Sequence, residues 1–371
     1  MKLAIAADWL PTYGGAEHVI AALHDLWPEA PILTTVAKPE KLGPLGTADI
    51  RTDSFLQRLY FLLGRHQFLL PFMPLRVESF DFTGYDVVLS SSHAVGKGVI
   101  PPATAVHVCY CHTPMRYAWE MEAEYLTDFR IRWPLKAYVK KELKRLRRWD
   151  LSTAKRVDHF IANSSETQQR IRRIYGRDSV VIPPPVDDRF FSGPLRSPSS
   201  ASYFLALGRL VPYKRFDLLI ELANTLRLPL KIGGTGSDME RLKRLAGPTV
   251  EFLGFVPESD VPSLYANAEC LLFPQVEDAG IVPLEAQACG VPVVAYGKGG
   301  VTDVVQDGVT GLLVKEQTVP AFAAAVAAAR SRAWDHAAIR EHAKRFTSAS
   351  FRRRIGEEIS SAVERYSLKV R

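Results

Sequence analysis

Two carboxylates, Glu277 and Glu285, enclose the seven residues Asp278-Ala279-Gly280-Ile281-Val282-Pro283-Leu284. Gly280 and Pro283 mark a helix start, because proline is tolerated in a first turn where its missing N–H has no partner to lose. Glu277 then lies in the loop before the helix and Glu285 on it. Carboxylates so placed can accept hydrogen bonds from sugar or ribose hydroxyls, while backbone N–H groups at the helix end receive a phosphate. The alternative is that Glu277 and Asp278 are exposed acids favoured by the helix dipole and that Glu285 points outward.

Three further clusters have chemical content. Arg209 and Lys214 stand five residues apart after the apolar run Tyr203–Leu207. Arg can grip a diphosphate as a fork and Lys as a point charge; otherwise both are surface cations on a solvated loop. Gly14 and Gly15 follow the run Leu3–Ala7 and precede a helical pattern of Val19, Ile20, Leu23 and Leu26. They either let backbone N–H groups approach an anion at the helix end or serve a tight turn needing positive φ. Cys109-Tyr110-Cys111-His112 raises zinc, but a structural site needs four ligands at wider cysteine spacing. Two cysteines alternating on one strand read better as small buried side chains.

The elements that must position these residues alternate short apolar runs with longer helical patterns, the signature of parallel βαβ construction. The spacing predicts strands at Lys2–Ala7, Val87–Ser90, Ala105–Cys111, His159–Ala162, Tyr203–Leu207, Leu230–Gly233, Cys270–Phe273 and Val293–Ala295. In open α/β sheets ligands sit beyond the carboxyl ends of the strands, where every cluster above falls. Pro183-Pro184-Pro185-Val186-Asp187-Asp188, continuing through Pro194, Pro198, Ser199 and Ser200, breaks the periodicity and divides the chain.

The 371 residues suit two domains, and 47% hydrophobic with 23% charged residues excludes a disordered, fibrous or disulfide-framed protein. No secretory signal opens the chain, and the longest uncharged stretch, 98–115, is interrupted by prolines and histidines. The four cysteines then read as reduced thiols in a cytoplasm. The net charge of +7 is local: residues 130–156 hold eleven Lys or Arg, including Lys140, Lys144 and Arg148, against two acids. Leu135, Val139, Leu143, Leu146 and Trp149 recur there at helical spacing, so this helix packs its stripe inward and presents cations to anionic lipid or to solvent. The segment 55–73, dense in Phe and Leu, is either a buried helical pair or a lip for a lipid-linked acceptor. Nucleic acid would account for the basic helix but is not the expected partner, since no RNA-binding consensus or zinc-finger spacing occurs.

The passages Gly14-Gly15-Ala16-Glu17, Gly208-Arg209 with Lys214, Phe252-Leu253-Gly254, and Gly280-Ile281-Val282-Pro283-Leu284-Glu285-Ala286 occur in an order that resembles the retaining GT-B glycosyltransferases of family 4. Thr113-Pro114-Met115-Arg116-Tyr117-Ala118-Trp119-Glu120 further resembles the subgroup that uses GDP-mannose to build bacterial surface polysaccharides.

The resemblance implies an α/β protein of GT-B fold, with two Rossmann-like domains facing a deep cleft. An acceptor-binding domain would span 1–190 and a nucleotide-sugar domain 191–348, with a helix at 349–371 crossing back to the first. It implies that Gly14 and Gly15 near the donor diphosphate and acceptor, that Arg209 and Lys214 clamp the diphosphate, and that Glu277 holds hydroxyls of the transferred sugar. Glu285 would bind the nucleotide ribose, backbone groups of Gly280, Ile281 and Val282 would line sugar and phosphate, and His112 would lie beside the donor sugar. Arg116 and Tyr117, with Lys140, Lys144 and Arg148, fall on the acceptor or membrane side. Ala279 stands where many relatives have an aromatic residue. The expected activity is a metal-independent hexosyltransferase without cofactor, moving mannose from GDP-mannose to a lipid-linked glycan. No Asp-x-Asp metal-chelating pair occurs. Its expected place is the inner face of the cell membrane. Rival expectations are a UDP-sugar donor, a non-catalytic nucleotide-sugar sensor, or a nucleic-acid-binding protein.

Overall fold

The computed structural model describes residues 1–120, 135–193, 195–196 and 203–370. Arg130, Arg132 and Pro134 of the basic stretch, and Pro194, Pro198, Ser199 and Ser200 of the predicted boundary, lie outside the described residues. The chain divides into two compact units, 1–183 with 351–371, and 184–350.

The first unit is built on a seven-stranded parallel sheet: β1 (Leu3–Ala7), β2 (Ile32–Thr34), β3 (Ile50–Thr52), β4 (Val87–Ser92), β5 (Val106–Cys111), β6 (His159–Ala162) and β7 (Ser179–Val181), in the order β3-β2-β1-β4-β5-β6-β7. Parallel strands are covered on both faces, and β1 accordingly is Leu-Ala-Ile-Ala-Ala with every residue buried. Alternate side chains leave on opposite faces. Leu3, Ile5 and Ala7 meet Val19, Ile20 and Leu23 of helix α1 (Gly15–Leu26). Ala4 and Ala6 join a second cluster with Leu56 and Tyr60 of α2 (Ser54–Leu63), Met73 and Val77 of α3 (Met73–Val77), and Leu143 and Leu146 of α4 (Leu135–Thr153). A third cluster holds Cys109 and Cys111 with Ile171 and Tyr175 of α5 (Ser165–Tyr175).

The second unit carries six parallel strands, β8 (Tyr203–Leu207), β9 (Leu230–Gly233), β10 (Val250–Gly254), β11 (Ala268–Phe273), β12 (Val293–Tyr296) and β13 (Gly311–Val314), in the order β10-β9-β8-β11-β12-β13. Helices α6 (Phe216–Leu226), α7 (Val261–Ala266) and α8 (Ile281–Ala288) follow β8, β10 and β11. The terminal helix α9 (Ser348–Val370) places Phe351, Ile355, Ile359 and Ala362 in the core cluster of β1, β4 and β5, in the first unit.

All eight strands expected from apolar runs are present, with ends shifted by at most two residues. The short β2, β3 and β7 carry too few residues to show a pattern of their own. In each sheet the strand order reverses beside the first strand of the unit: β1 separates β2 from β4, and β8 separates β9 from β11. Crevices at such reversals are where open α/β sheets receive ligands.

Candidate active site

In the second unit the reversal brings the loops after β8 and β11 side by side. Gly208 leaves β8 at φ +149, and a Cβ there would lie 3.3 Å from the Lys214 Nζ. The loop is then anchored by Leu210, wholly buried, whose N–H donates to the Thr235 carbonyl at 2.9 Å. Arg209 stays exposed, its Nη2 3.5 Å from the Tyr213 hydroxyl. A 3-10 turn, Pro212–Lys214, brings the Lys214 ammonium to 2.9 Å from Glu277 Oε1, both groups largely buried. Sequence reasoning singled out both residues, and the fold pairs them.

The Glu277 loop is held from two sides. Gln317 donates to the Pro274 carbonyl at 2.8 Å and accepts from Arg215 at 3.2 Å, joining the end of β11 to the start of α6. Gly300 N–H donates to the Glu277 carbonyl at 2.9 Å; a Cβ on Gly299 would lie only 2.5 Å from that oxygen, so a glycine alone permits the approach. Gly280 is the N-cap of α8, and no side chain caps the helix. The first-turn N–H groups of Ile281 and Val282 therefore lack a side-chain acceptor and carry the positive end of the helix dipole.

Glu285 lies on α8, as its position predicts, in a separate cluster. It accepts a hydrogen bond from the buried Tyr265 hydroxyl at 2.9 Å. Burial pushes its carboxyl up to about 7, a rise that the Tyr265 hydrogen bond and the Arg189 charge oppose and that Glu258 and Asp187 reinforce. Arg189 bonds Glu258 at 2.6 Å. It is thus a half-buried group and not an outward helical acid. The signal for Tyr265 and Arg189 is weak in sequence, since neither lies in a motif.

In the first unit, Gly14 caps α1 at φ −162, an extended backbone open to any residue, so a positive-φ turn is not what places glycine there. A Cβ would instead lie 3.3 Å from the Glu17 carboxylate. Gly15 is the first residue of α1. His112, one residue past β5, bonds Ser91 Oγ through Nε2 at 2.8 Å. Burial, with the His93 charge, lowers it to about 3 against the pull of Asp8, so the imidazole is neutral at pH 7.

Sequence reasoning gave no role to Asp8, which closes β1. Its buried carboxylate accepts from Ser92 Oγ at 3.0 Å and from the backbone N–H groups of His93, Ala94 and Gly96, and pairs with His93 Nδ1 at 2.9 Å. Burial works against its ionisation, yet the His93 charge and these hydrogen bonds hold it well below the usual carboxylate range. The rings of His66 and His93 lie 4.8 and 4.9 Å from that of Trp9. Its sequence signal was its place directly after the first strand.

Arg116 and Tyr117 are half-buried on the helical turn Arg116–Trp119, whereas Lys140, Lys144 and Arg148 are exposed on α4. Beneath α4 lies a buried ion pair missed from sequence: the Lys97 ammonium contacts Asp150, which also accepts from Trp119 Nε1 at 2.7 Å and the Tyr175 hydroxyl at 2.8 Å. No group of His, Cys, Asp and Glu among the described residues is arranged to hold a metal, and Cys109 and Cys111 are buried free thiols.

Residues 13–190 match the family model described as Glycosyltransferase Family 4, and residues 187–346 that described as Glycosyl transferases group 1. The chain is 36% identical over 192 residues to the GDP-mannose-dependent alpha-(1-6)-phosphatidylinositol monomannoside mannosyltransferase of Mycolicibacterium smegmatis, covering 44% of this chain and 50% of the relative. It is 34% identical over 207 residues to the D-inositol 3-phosphate glycosyltransferase of Geodermatophilus obscurus, covering 47% and 46%. The matched region spans about half the length of these curated relatives. Among solved structures, Anabaena Alr3699/HepE in complex with UDP-glucose superposes with a TM-score of 0.70 at 20% identity, over 97% of this chain and 100% of that one. The lipopolysaccharide outer core galactosyltransferase WaaB does so with a TM-score of 0.66 at 17% identity, over 97% and 99%. These two likenesses carry the fold, two parallel Rossmann-like sheets. With two adjoining family models reaching from residue 13 to residue 346, the chain belongs to the GT-B glycosyltransferases of group 1 and family 4.

Proposed function

We propose that the protein transfers a hexosyl group, with retention of configuration, from a nucleoside-diphosphate sugar to an acceptor hydroxyl, with mannose from GDP-mannose as the donor group and a lipid-linked or oligosaccharide glycan of surface polysaccharide synthesis as acceptor. The observation that carries this reading is the Lys214–Glu277 pair, 2.9 Å apart at the β8/β11 reversal, in the loop that leads into the uncapped N-terminus of α8. Cation, carboxylate and N–H donors there match the three parts of such a donor: diphosphate, sugar hydroxyls and growing phosphate charge. The Mycolicibacterium relative, by its name, uses GDP-mannose, which supports the choice of donor.

Glycosyl transfer runs through an oxocarbenium-like transition state while negative charge grows on the departing phosphate. Lys214 and Arg209 would meet that charge, with the N–H groups of Ile281 and Val282 adding the helix dipole. Glu277 would accept hydrogen bonds from sugar hydroxyls, and neutral His112 would offer a hydrogen bond without adding charge. The bond from the anomeric carbon to the leaving phosphate oxygen breaks as the bond to the acceptor oxygen forms on the same face. The hydroxyl proton passes to the departing phosphate. Trapping of a glycosyl ester on Glu277 or Glu285 would overturn this front-face route.

Melting of the protein with GDP, GDP-mannose, UDP and UDP-glucose tests the donor. A ligand at about one hundred times its dissociation constant adds roughly 2.7 kcal/mol to stability. Stabilisation by the guanosine pair, with slow release of GDP from GDP-mannose, is expected. Preference for the uridine pair would replace the donor and leave glycosyl transfer standing; binding without release would make the protein a sensor.

A further inference from the structure

In the second unit one guanidinium stands among the carboxylates of Asp187, Glu258 and Glu285. Arg189 opens the helical turn Arg189–Ser192, and its backbone N–H donates to Asp187 at 2.9 Å. Its Nη1 donates to Glu258, in the loop after β10, at 2.6 Å. Its Nε lies 3.8 Å from Asp187, buried and without a hydrogen-bond partner. The turn is fixed against α8. Phe190 shares a core cluster with Tyr265 and Leu284, its ring 6.0 Å from that of Tyr265, and its carbonyl accepts from Cys289 Sγ at 3.6 Å. Buried contacts thus place the guanidinium, whereas the carboxylate it bonds, Glu258, is 54% exposed.

Glu285 accepts the Tyr265 hydroxyl on Oε2. A carboxylate has about four lone-pair sites, and this bond takes one. Arg189 reaches Glu285 with its charge while its hydrogen bond goes to Glu258. That charge lowers the Glu285 carboxyl, whereas Glu258 and Asp187 raise it. Of the other groups near Glu285, Tyr265 and Cys289 are neutral at pH 7: burial raises the phenol well above its ordinary value and pushes the thiol up to about 12. Arg340 meets α8 at its far end, donating to the Ala288 carbonyl at 2.7 Å. Glu258, which bonds the cation directly, therefore competes with Glu285 for it.

We propose that Arg189 is a positioning residue for the nucleotide: shared between Glu258 and Glu285, it keeps Glu285 a carboxylate able to accept both hydroxyls of the ribose, and Glu258 draws it away. A carboxylate holds a vicinal diol through charge-assisted hydrogen bonds, about twice as strong as neutral ones. The acid form gives up one of those acceptor sites to its own proton. This rests on the proposed donor reading, with Glu285 at the ribose, and adds what governs that contact.

Binding of GDP-mannose and of UDP-glucose, followed by calorimetry from about pH 5.5 to 8.5, tests it, because neither ligand titrates in that range. Affinity in the parent is expected to rise with pH and to level off above about 7, since the diol selects the ionised form of Glu285. Glu258→Gln is expected to move that midpoint down, with tighter binding at about pH 6 and little change at about pH 8.5. Arg189→Met is expected to move it up. Binding at pH 7 then weakens by about tenfold per unit of displacement and recovers toward the parent's as pH rises. Glu258 is exposed, so its substitution is decisive even where Arg189→Met fails to fold. A loss in Arg189→Met that is equal at every pH, or an unmoved midpoint in Glu258→Gln, would overturn the proposal and leave the donor reading standing. Binding of neither nucleotide sugar to the parent at any pH would remove the donor reading and the ribose role with it.

Discussion

Lys214 is paired with Glu277 at 2.9 Å while Arg209 keeps its guanidinium in solvent, so Arg209 is open to a diphosphate as it stands and Lys214 meets one with its charge already shared. Arg209→Ala is therefore expected to lower kcat/KM by about 2–4 kcal/mol in transition-state terms, the range for loss of an oxyanion donor, with little change in melting temperature. Turnover equal to the parent's would remove Arg209 from the diphosphate. Glu285 makes a pH prediction. Its carboxyl titrates near 4.5 when unfolded and about 7 when folded, so between these values the native state binds more protons than the unfolded one. Stability contributed at this site then falls as pH rises through that window. Glu285→Gln keeps an acceptor for Tyr265 and is expected to melt higher than the parent above pH 7 and alike below pH 4.5; a difference independent of pH would locate the raised acid elsewhere. Both carboxylates were legible from their place around a helix start. Their surroundings were not: Tyr265 and Arg189 reach Glu285 from other elements.

Among the elements, α4 is the one whose sequence is most misleading. Its charge draws the eye to the surface, yet the helix is fixed from below by Lys97, the Asp150 carboxylate and the Thr153 hydroxyl, all buried. Gly98 lets the Trp149 ring lie where a Cβ would meet it at 2.3 Å. Lys97→Met would leave Asp150 charged and deprived of its cation, and breaking a buried pair from one side costs about 3–5 kcal/mol. Urea unfolding is expected to show a loss of that size, and a loss below about 1 kcal/mol would mean that Trp119 and Tyr175 alone satisfy Asp150. The α2–α3 segment was readable as apolar. Which of its side chains face inward follows from contacts with β1 and α4, which sequence spacing does not record.

At the scale of the whole molecule the two units place their chemistry at the same topological point, the carboxyl edge where strand order reverses. Nucleotide sugar is expected to slow amide exchange in residues 208–215 and 276–282, and not in 55–75; protection confined to 55–75 would move the donor to the first unit. The sequence by itself determined which stretches form buried strands, and that the residues after β8 and β11 carry charge suited to a phosphate and hydroxyls. It did so because burial on both faces writes continuous apolar runs, and because helix starts and loop cations are local. Only the tertiary structure decided that Lys214 meets Glu277, that Asp8 gathers the backbone of residues 93–96, and that Leu62 and Leu75 stay outside the core. Those facts depend on residues far apart in the chain, brought together by parallel crossovers whose geometry no local pattern encodes.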